Sequence, residues 1–292
     1  MEQREAREPQ DVRDGVMPGA SCAQTSAASE TMPLLDVRDV TMRFQTAGGP
    51  VTALENVSLS VGAGELVALV GPSGSGKSTL LAIVAGLETP TSGTVALRGD
   101  PAAERLGRLG YMPQRDLLLP WRRALENAAA GLEARGVPRA EARRQAQAVF
   151  ADFGLAGFER LYPPQLSGGM RQRVAFARTA LAGGELLLLD EPFGALDALT
   201  RAALQAWLLE LWGRLGRACL LVTHDVEEAL LLADRVYVLS QRPGQVILER
   251  RVPLPRPRGR EQLLRPEAVA LKAELLAALD GLALAGVEGG PA

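Results

Sequence analysis

The stretch Gly71-Pro72-Ser73-Gly74-Ser75-Gly76-Lys77-Ser78-Thr79 constrains this chain more than any other. It follows an apolar run at residues 66–70 and precedes a helical run at residues 80–87, the strand, loop and helix order required of a phosphate-binding loop. Its glycines let backbone N–H groups converge on phosphate oxygens at a helix N-terminus. Lys77 can neutralise the β and γ phosphates of a nucleotide, and Ser78 can bind Mg²⁺.

Residues 66–70 are apolar at every position, as are residues 186–189 and 218–222. Runs of this kind are covered on both faces, which is how strands of a parallel sheet sandwiched by helices read, and they predict an α/β fold. Each runs into polar residues: Asp190-Glu191 after the second, Thr223-His224-Asp225 after the third, and Gln114 shortly after a further run at residues 109–112. In a parallel sheet all of these emerge at the carboxyl edge, beside the phosphate loop. There Asp190 is suited to hold Mg²⁺ through its water shell, Glu191 to orient or deprotonate a water attacking the γ-phosphate, and His224 to bond that phosphate or that water. Taken singly, each has an ordinary alternative: carboxylates after strands cap helices, glutamines are solvated, and a lone histidine is more often structural.

Elsewhere the pattern changes. Val40, Met42 and Phe44 alternate with Thr41 and Arg43, and Val57, Leu59 and Val61 with Ser58 and Ser60, as in antiparallel strands with one wet face. Between residues 122 and 153 the period is helical, with Ala142, Ala146, Val149 and Phe153 on one side and a turn at Gly136-Val137-Pro138; this predicts a helical subdomain inserted between strands. Ser167-Gly168-Gly169 opens a helix whose apolar face is Met170, Val174, Ala177 and Leu181. Ser167 is a natural N-cap with glycine donors behind it, either a second anion-binding helix start or an ordinary capped helix. Past Ser240, Arg242-Pro243-Gly244 and prolines 253, 255 and 257 mark a loop and an extended segment, followed by an amphipathic helix with Leu271, Leu275 and Leu279 on one side.

With 292 residues, 47% apolar and 23% charged, the chain can bury a full core, and a formal charge of −2 asks for no nucleic acid partner. The two cysteines, Cys22 and Cys219, fit free thiols in a reducing compartment. No run approaches the roughly 18 apolar residues of a spanning helix, and residues 1–15 lack the apolar core of a secretory signal, so a cytoplasmic location is expected. Residues 1–33 mix charge, Ala, Ser and Pro without periodicity and are expected to be a disordered tail.

Over residues 35–280 these features together resemble the nucleotide-binding subunits of ABC transporters. The resemblance makes residues 71–79 the Walker A loop, Gln114 the Q-loop, residues 166–172 the signature, residues 186–191 the Walker B strand with its glutamate, Ala195-Leu196-Asp197 the D-loop and His224 the switch histidine. It implies a P-loop NTPase (RecA-like) core with a mostly parallel sheet, an antiparallel β subdomain and the inserted helices. Phe44 sits where the family stacks an aromatic on adenine. The resemblance also implies a catalytic set of Lys77, Gln114, Glu191 and His224, a metal set of Ser78, Gln114 and Asp190, and ATP with Mg²⁺ as cofactors. Two such subunits would pack head to tail, with Ser167, Gly168, Gly169 and Asp197 of one closing over the ATP of the other. Partners would be transmembrane permease subunits, met by residues 115–121, and indirectly a substrate-binding protein, at the cytoplasmic face of the membrane. Leu119-Pro120-Trp121, residues 222–225 and Arg242-Pro243-Gly244 look most like importers of the nitrate, sulfonate, taurine and thiamine-precursor group.

On this reading the ATPase domain covers residues 34–245, with its helical subdomain at about 115–180, and residues 246–292 form a C-terminal extension too short for the regulatory domain of sugar and methionine importers. A P-loop kinase would have no use for residues 167–169 or a D-loop. A soluble ABC ATPase without a permease would typically show two cassettes or a coiled-coil insertion, and no heptad run is present.

Overall fold

The structure, a computed structural model, describes residues 32–287; the expected disordered tail lies outside them apart from Met32 and Pro33. Two sheets are built from the two kinds of strand that the sequence distinguishes. β1 (Leu35–Thr46), β2 (Gly49–Val61) and β4 (Ser92–Leu97) pair antiparallel in the order β2-β1-β4. The larger sheet has the order β5-β6-β7-β3-β8-β9, from β3 (Leu66–Val70), β5 (Gly110–Met112), β6 (Leu186–Asp190), β7 (Ala218–Thr223), β8 (Arg235–Leu239) and β9 (Val246–Arg251). All its pairings are parallel except β8 with β9.

The unbroken apolar runs follow from what covers this sheet. Along β3, Leu66, Ala68 and Val70 face a cluster shared with the helices, while Val67 and Leu69 face one shared with β1, β2 and β4. Leu187 and Leu189 against Leu186 and Leu188 divide in the same way, so neither face meets water and neither tolerates a polar side chain. Helix α1 (Lys77–Ala85) fills the space between the sheets with Leu80, Leu81, Ile83 and Val84, all fully buried.

Between β5 and β6 the chain leaves the sheet as α2 (Ala124–Ala134), α3 (Arg139–Phe150) and α4 (Gly168–Ala182). Ala142 and Ala146 bury the predicted face of α3, and Val174 and Ala177 that of α4. Gly131 lets α2 approach α4 closely, because a β-carbon there would collide with Cβ of Ala182. Buried Asn127 pins the preceding loop: its Oδ1 accepts from Leu119 N at 2.7 Å, and its Nδ2 donates to the carbonyls of Leu119, Arg122 and Arg123. That loop holds Leu117 and Trp121 out in solvent.

The boundary expected at residue 245 does not coincide with a break. Val246–Arg251, read as part of an extended segment, is the edge strand of the main sheet, and its charged half Glu249-Arg250-Arg251 hid it from an apolar-run reading. After α5 (Ala198–Leu215), α6 (Val226–Leu232) and β9, a strap leads through a short 3₁₀ turn (Arg260–Leu264) into α7 (Pro266–Val287). This last helix packs on α6, β8 and β9 with Ala268, Leu271 and Leu275. Asp234 fastens the strap to β3: one carboxylate oxygen accepts from Leu66 N at 3.0 Å and the other pairs with Arg256 at 2.8 Å.

Leu220 lies fully buried in β7, between β6 and β3. Leu220→Ala is expected to cost about 2–5 kcal/mol of unfolding free energy in urea titration, the range for an uncollapsed core cavity; a loss under about 1 kcal/mol would mean the two-sided burial does not constrain the sheet.

Candidate active site

The phosphate loop leaves β3 at Gly71 and enters α1 at Lys77. Gly76 is the helix N-cap at φ 97°, and a β-carbon there would lie 2.6 Å from Leu54 Cδ2 and 3.0 Å from Ala53 O, so conformation and space both require glycine. Helix α1 has no side-chain cap and no acidic residue in its first turn, which leaves donor N–H groups and the positive dipole end at the loop. Lys77 is only 5% exposed, and its Nζ donates to Gly71 O and Pro72 O at 2.8 Å each and to Ser75 Oγ at 3.4 Å. Burial lowers its pKa, and the neighbouring Glu191 and Asp190 carboxylates pull it back up.

A cavity of about 430 Å³ opens over this loop. Ser73, Gly74, Gly76, Lys77, Ser78 and Thr79 line one side; Phe44, Thr46, Val51 and Ala53 of the antiparallel sheet form another, mostly apolar side; Gln114, Glu191 and Arg242 complete the rim. Gly71, Pro72 and Ser75 stand behind the lining and hold Lys77. The ends of β5, β6 and β7 therefore reach the same place as the end of β3, as parallel pairing demands.

Glu191 occupies the left-handed region at φ 43°, uncommon for a side chain with a β-carbon. It is held there by its N–H donating to Val222 O at 2.9 Å and its carbonyl accepting from Gly194 N at 3.1 Å. Its Oε2 accepts from Gln114 Nε2 at 3.0 Å and lies 3.4 Å from His224 Nδ1. Asp190, immediately before it, is 3% exposed, and its Oδ1 has no hydrogen-bond partner. Burial raises the Asp190 pKa, a hydrogen bond from Ser78 lowers it, Glu191 raises it and Lys77 lowers it. An orphaned carboxylate oxygen beside a serine hydroxyl and a phosphate loop is a hard-oxygen donor set that fits Mg²⁺, which takes one or two protein oxygens and fills its shell with water and phosphate.

The remaining sequence-derived residues form a second cluster outside the cavity. Ser167 caps α4, its Oγ accepting from Met170 N at 3.3 Å, and Asp197 caps α5, its Oδ1 accepting from Leu199 N and Thr200 N at 3.1 and 3.0 Å. These two helix starts adjoin: β-carbons built on Gly168 and Gly169 would lie 3.4 Å from Leu196 Cδ2 and 2.8 Å from Thr200 Cγ2. Sequence reasoning missed Thr46, Val51, Ala53 and Arg242 as lining residues. Arg242 belongs to a turn read as a loop and as a mark of the importer group, not as part of the site, and it reaches the site because Gly244 lets that turn pack on the phosphate loop, where a β-carbon would collide with Ser75 O.

A carboxyl whose pKa is raised on folding opposes the folded state once ionised and ceases to do so below the carboxylate range. Asp190→Asn is therefore expected to raise the unfolding midpoint of the nucleotide-free protein at neutral pH, with the gap to the wild type closing as pH falls through that range. A lower midpoint for the variant at neutral pH would contradict a poorly compensated buried charge.

The family described as ABC transporter matches residues 54–194. The chain is 47% identical over 216 residues to the taurine import ATP-binding protein of Burkholderia pseudomallei, covering 74% of this chain and 83% of that one. It is 46% identical to the formylaminopyrimidine import ATP-binding protein of Halalkalibacterium halodurans, covering 75% and 85%, and 42% identical to the nitrate import ATP-binding protein of Synechocystis, covering 82% and 89%. The solved dimeric structure of a post-hydrolysis state of the ATP-binding cassette MJ0796, bound to ADP and Pi, superposes with TM-score 0.65 at 31% identity over 75% of this chain and 98% of that one. Motifs, cavity and relatives agree: the chain belongs to the ATP-binding proteins of the ABC transporter family.

Proposed function

We propose that this chain hydrolyses ATP as the motor subunit of an importer, coupling a head-to-tail dimer to uptake of a small solute of the nitrate, sulfonate or taurine kind through partner permease subunits. The observation that carries the reading is the gathering of Lys77, Asp190, Glu191 and His224 at one sheet edge beside the phosphate loop.

Phe44, with Val51 and Ala53 beside it, offers an apolar wall for the adenine ring. The α1 N-terminus and Lys77 take the β and γ phosphates; Lys77 exchanges its loop carbonyls for phosphate oxygens, a charge-assisted bond in a dry setting. Ser78 and Asp190, with Gln114 at the rim, would hold Mg²⁺, which when bound neutralises charge developing on the terminal phosphates. Glu191 orients and deprotonates the attacking water, its carboxylate placed between Gln114 and His224, and His224 bonds the γ-phosphate or that water.

Ser167, Gly168, Gly169 and Asp197 take their part through a second copy. They lie outside the chain's own cavity, yet present a capped helix start whose donors suit an anion, which supports closure of one subunit's α4 over its partner's ATP. Among the described residues no helix is long and apolar enough to cross a membrane. Attachment at the cytoplasmic face runs, on this reading, through permease subunits, for which exposed Leu117 and Trp121 beyond Gln114 offer an apolar contact, and a substrate-binding protein takes part only indirectly.

Glu191→Gln is expected to keep ATP binding, lower turnover by about 10²-fold or more, and accumulate an ATP-bound dimer on size-exclusion chromatography. Turnover at the wild-type rate would remove Glu191 from the mechanism. His224→Ala is expected to lower turnover with ATP binding retained, and an unchanged rate would remove His224.

A further inference from the structure

His224 is half-exposed and makes a single close polar approach, to Glu191, so something else must hold its backbone in place. Beneath it runs a buried chain of hydrogen bonds. Asp225 N donates to Thr223 Oγ1 at 3.1 Å, so this bond spans the histidine from the residue before it to the residue after it. The Thr223 hydroxyl donates in turn to Glu228 Oε2. The other carboxylate oxygen, Glu228 Oε1, accepts from Gln205 Nε2 at 2.8 Å, and Gln205 Oε1 accepts from Arg260 at 2.9 Å. Thr223, Gln205 and Glu228 are all buried, whereas Arg260 lies exposed on the C-terminal strap.

The polarity of this chain is fixed by the guanidinium at one end and by the Glu228 carboxylate at its centre. A guanidinium has only donors, so Gln205 must turn its carbonyl to Arg260 and its amide nitrogen to Glu228. A carboxylate only accepts, so the Thr223 hydroxyl, which also accepts from Asp225 N, turns its proton to Glu228. Glu228 thus receives donors from both sides, which a carboxylate satisfies and an amide does not. Burial raises the Glu228 pKa, the bonds from Thr223 and Gln205 lower it, Asp225 raises it and Arg201 lowers it.

We propose that Glu228, with Gln205 and Arg260, positions His224, so that the C-terminal strap beyond the nucleotide cavity holds the histidine loop in its working geometry. The idea rests on the role proposed above for His224. Gln205 lies on α5, whose N-cap is Asp197, so the same chain also ties the histidine loop to the second cluster.

The test is steady-state ATP turnover of the full chain, with unfolding midpoints measured alongside. Glu228→Gln loses one of the two bonds whichever way its amide turns, because its nitrogen faces either the Gln205 amide or the Thr223 hydroxyl, whose proton then has no acceptor; it is expected to lower kcat roughly tenfold, with KM for ATP changed by less than about twofold. The double variant Gln205→Glu/Glu228→Gln reverses the chain: the carboxylate introduced on α5 accepts from both Arg260 and the new amide on α6, and the carbonyl of that amide accepts from Thr223. It is expected to recover kcat to within about threefold of the wild type. A folded Glu228→Gln with unchanged kcat, or a folded double variant no faster than the single one, overturns the proposal. Should Glu228→Gln fail to fold, Arg260→Met at the exposed end decides: an unchanged kcat overturns the proposal, and a loss of about threefold at constant KM supports it. Failure of the His224 reading shows separately, as full turnover by His224→Ala.

Discussion

Parallel pairing of β6, β7 and β3, with both faces buried, is the constraint on which the rest of the molecule depends. Covered by α1 and the antiparallel strands on one side and by helices on the other, these three strands have no room for a polar side chain along their length. Polar chemistry is confined to the strand ends, and parallel direction puts those ends on one edge. Asp190, Thr223 and the phosphate loop are neighbours for that reason, although 32 residues lie between Asp190 and Thr223 and over 100 between Asp190 and the loop.

The same burial sets the electrostatics of the site. Lys77 and Asp190 are both desolvated, and each is kept charged in part by the other. Their attraction is felt through a poorly screening medium, and protein atoms alone leave the charge arrangement unfinished, as the unpartnered Oδ1 of Asp190 shows. The left-handed backbone of Glu191 belongs to the same economy of space. It turns the carboxylate out of the strand line toward Gln114 and His224 at a local conformational cost that the bond to Val222 helps to hold.

What could be read in the sequence was whatever depends on local pattern. Unbroken apolar runs announce two-sided strands, the glycine-lysine loop announces a phosphate cradle, and the residues after each run name the edge; Lys77, Gln114, Glu191 and Phe44 do line one cavity. Contacts that depend on packing between distant segments left no local mark. Val51 and Ala53 alternate like any strand, Arg242 sits in a turn, and β9 is half charged, so none of them signals its place until the sheets are assembled. Asn127 in a helix of alanines gives no sign that it fixes the loop bearing Trp121.

The buried polar chain under His224 extends this point from placement to direction. A core of apolar side chains resists displacement but does not distinguish one rotamer of a neighbouring loop from another with equal packing, whereas a chain of donors and acceptors has only one satisfied sense. Arg260 can only donate, which turns the Gln205 amide nitrogen to Glu228, and the Thr223 hydroxyl donates to its other oxygen, so Glu228 accepts from both sides. The loop that carries the histidine is therefore held by hydrogen-bond sense as well as by shape, and on the role proposed for His224 the strap that supplies Arg260 acts on the site from outside the nucleotide cavity.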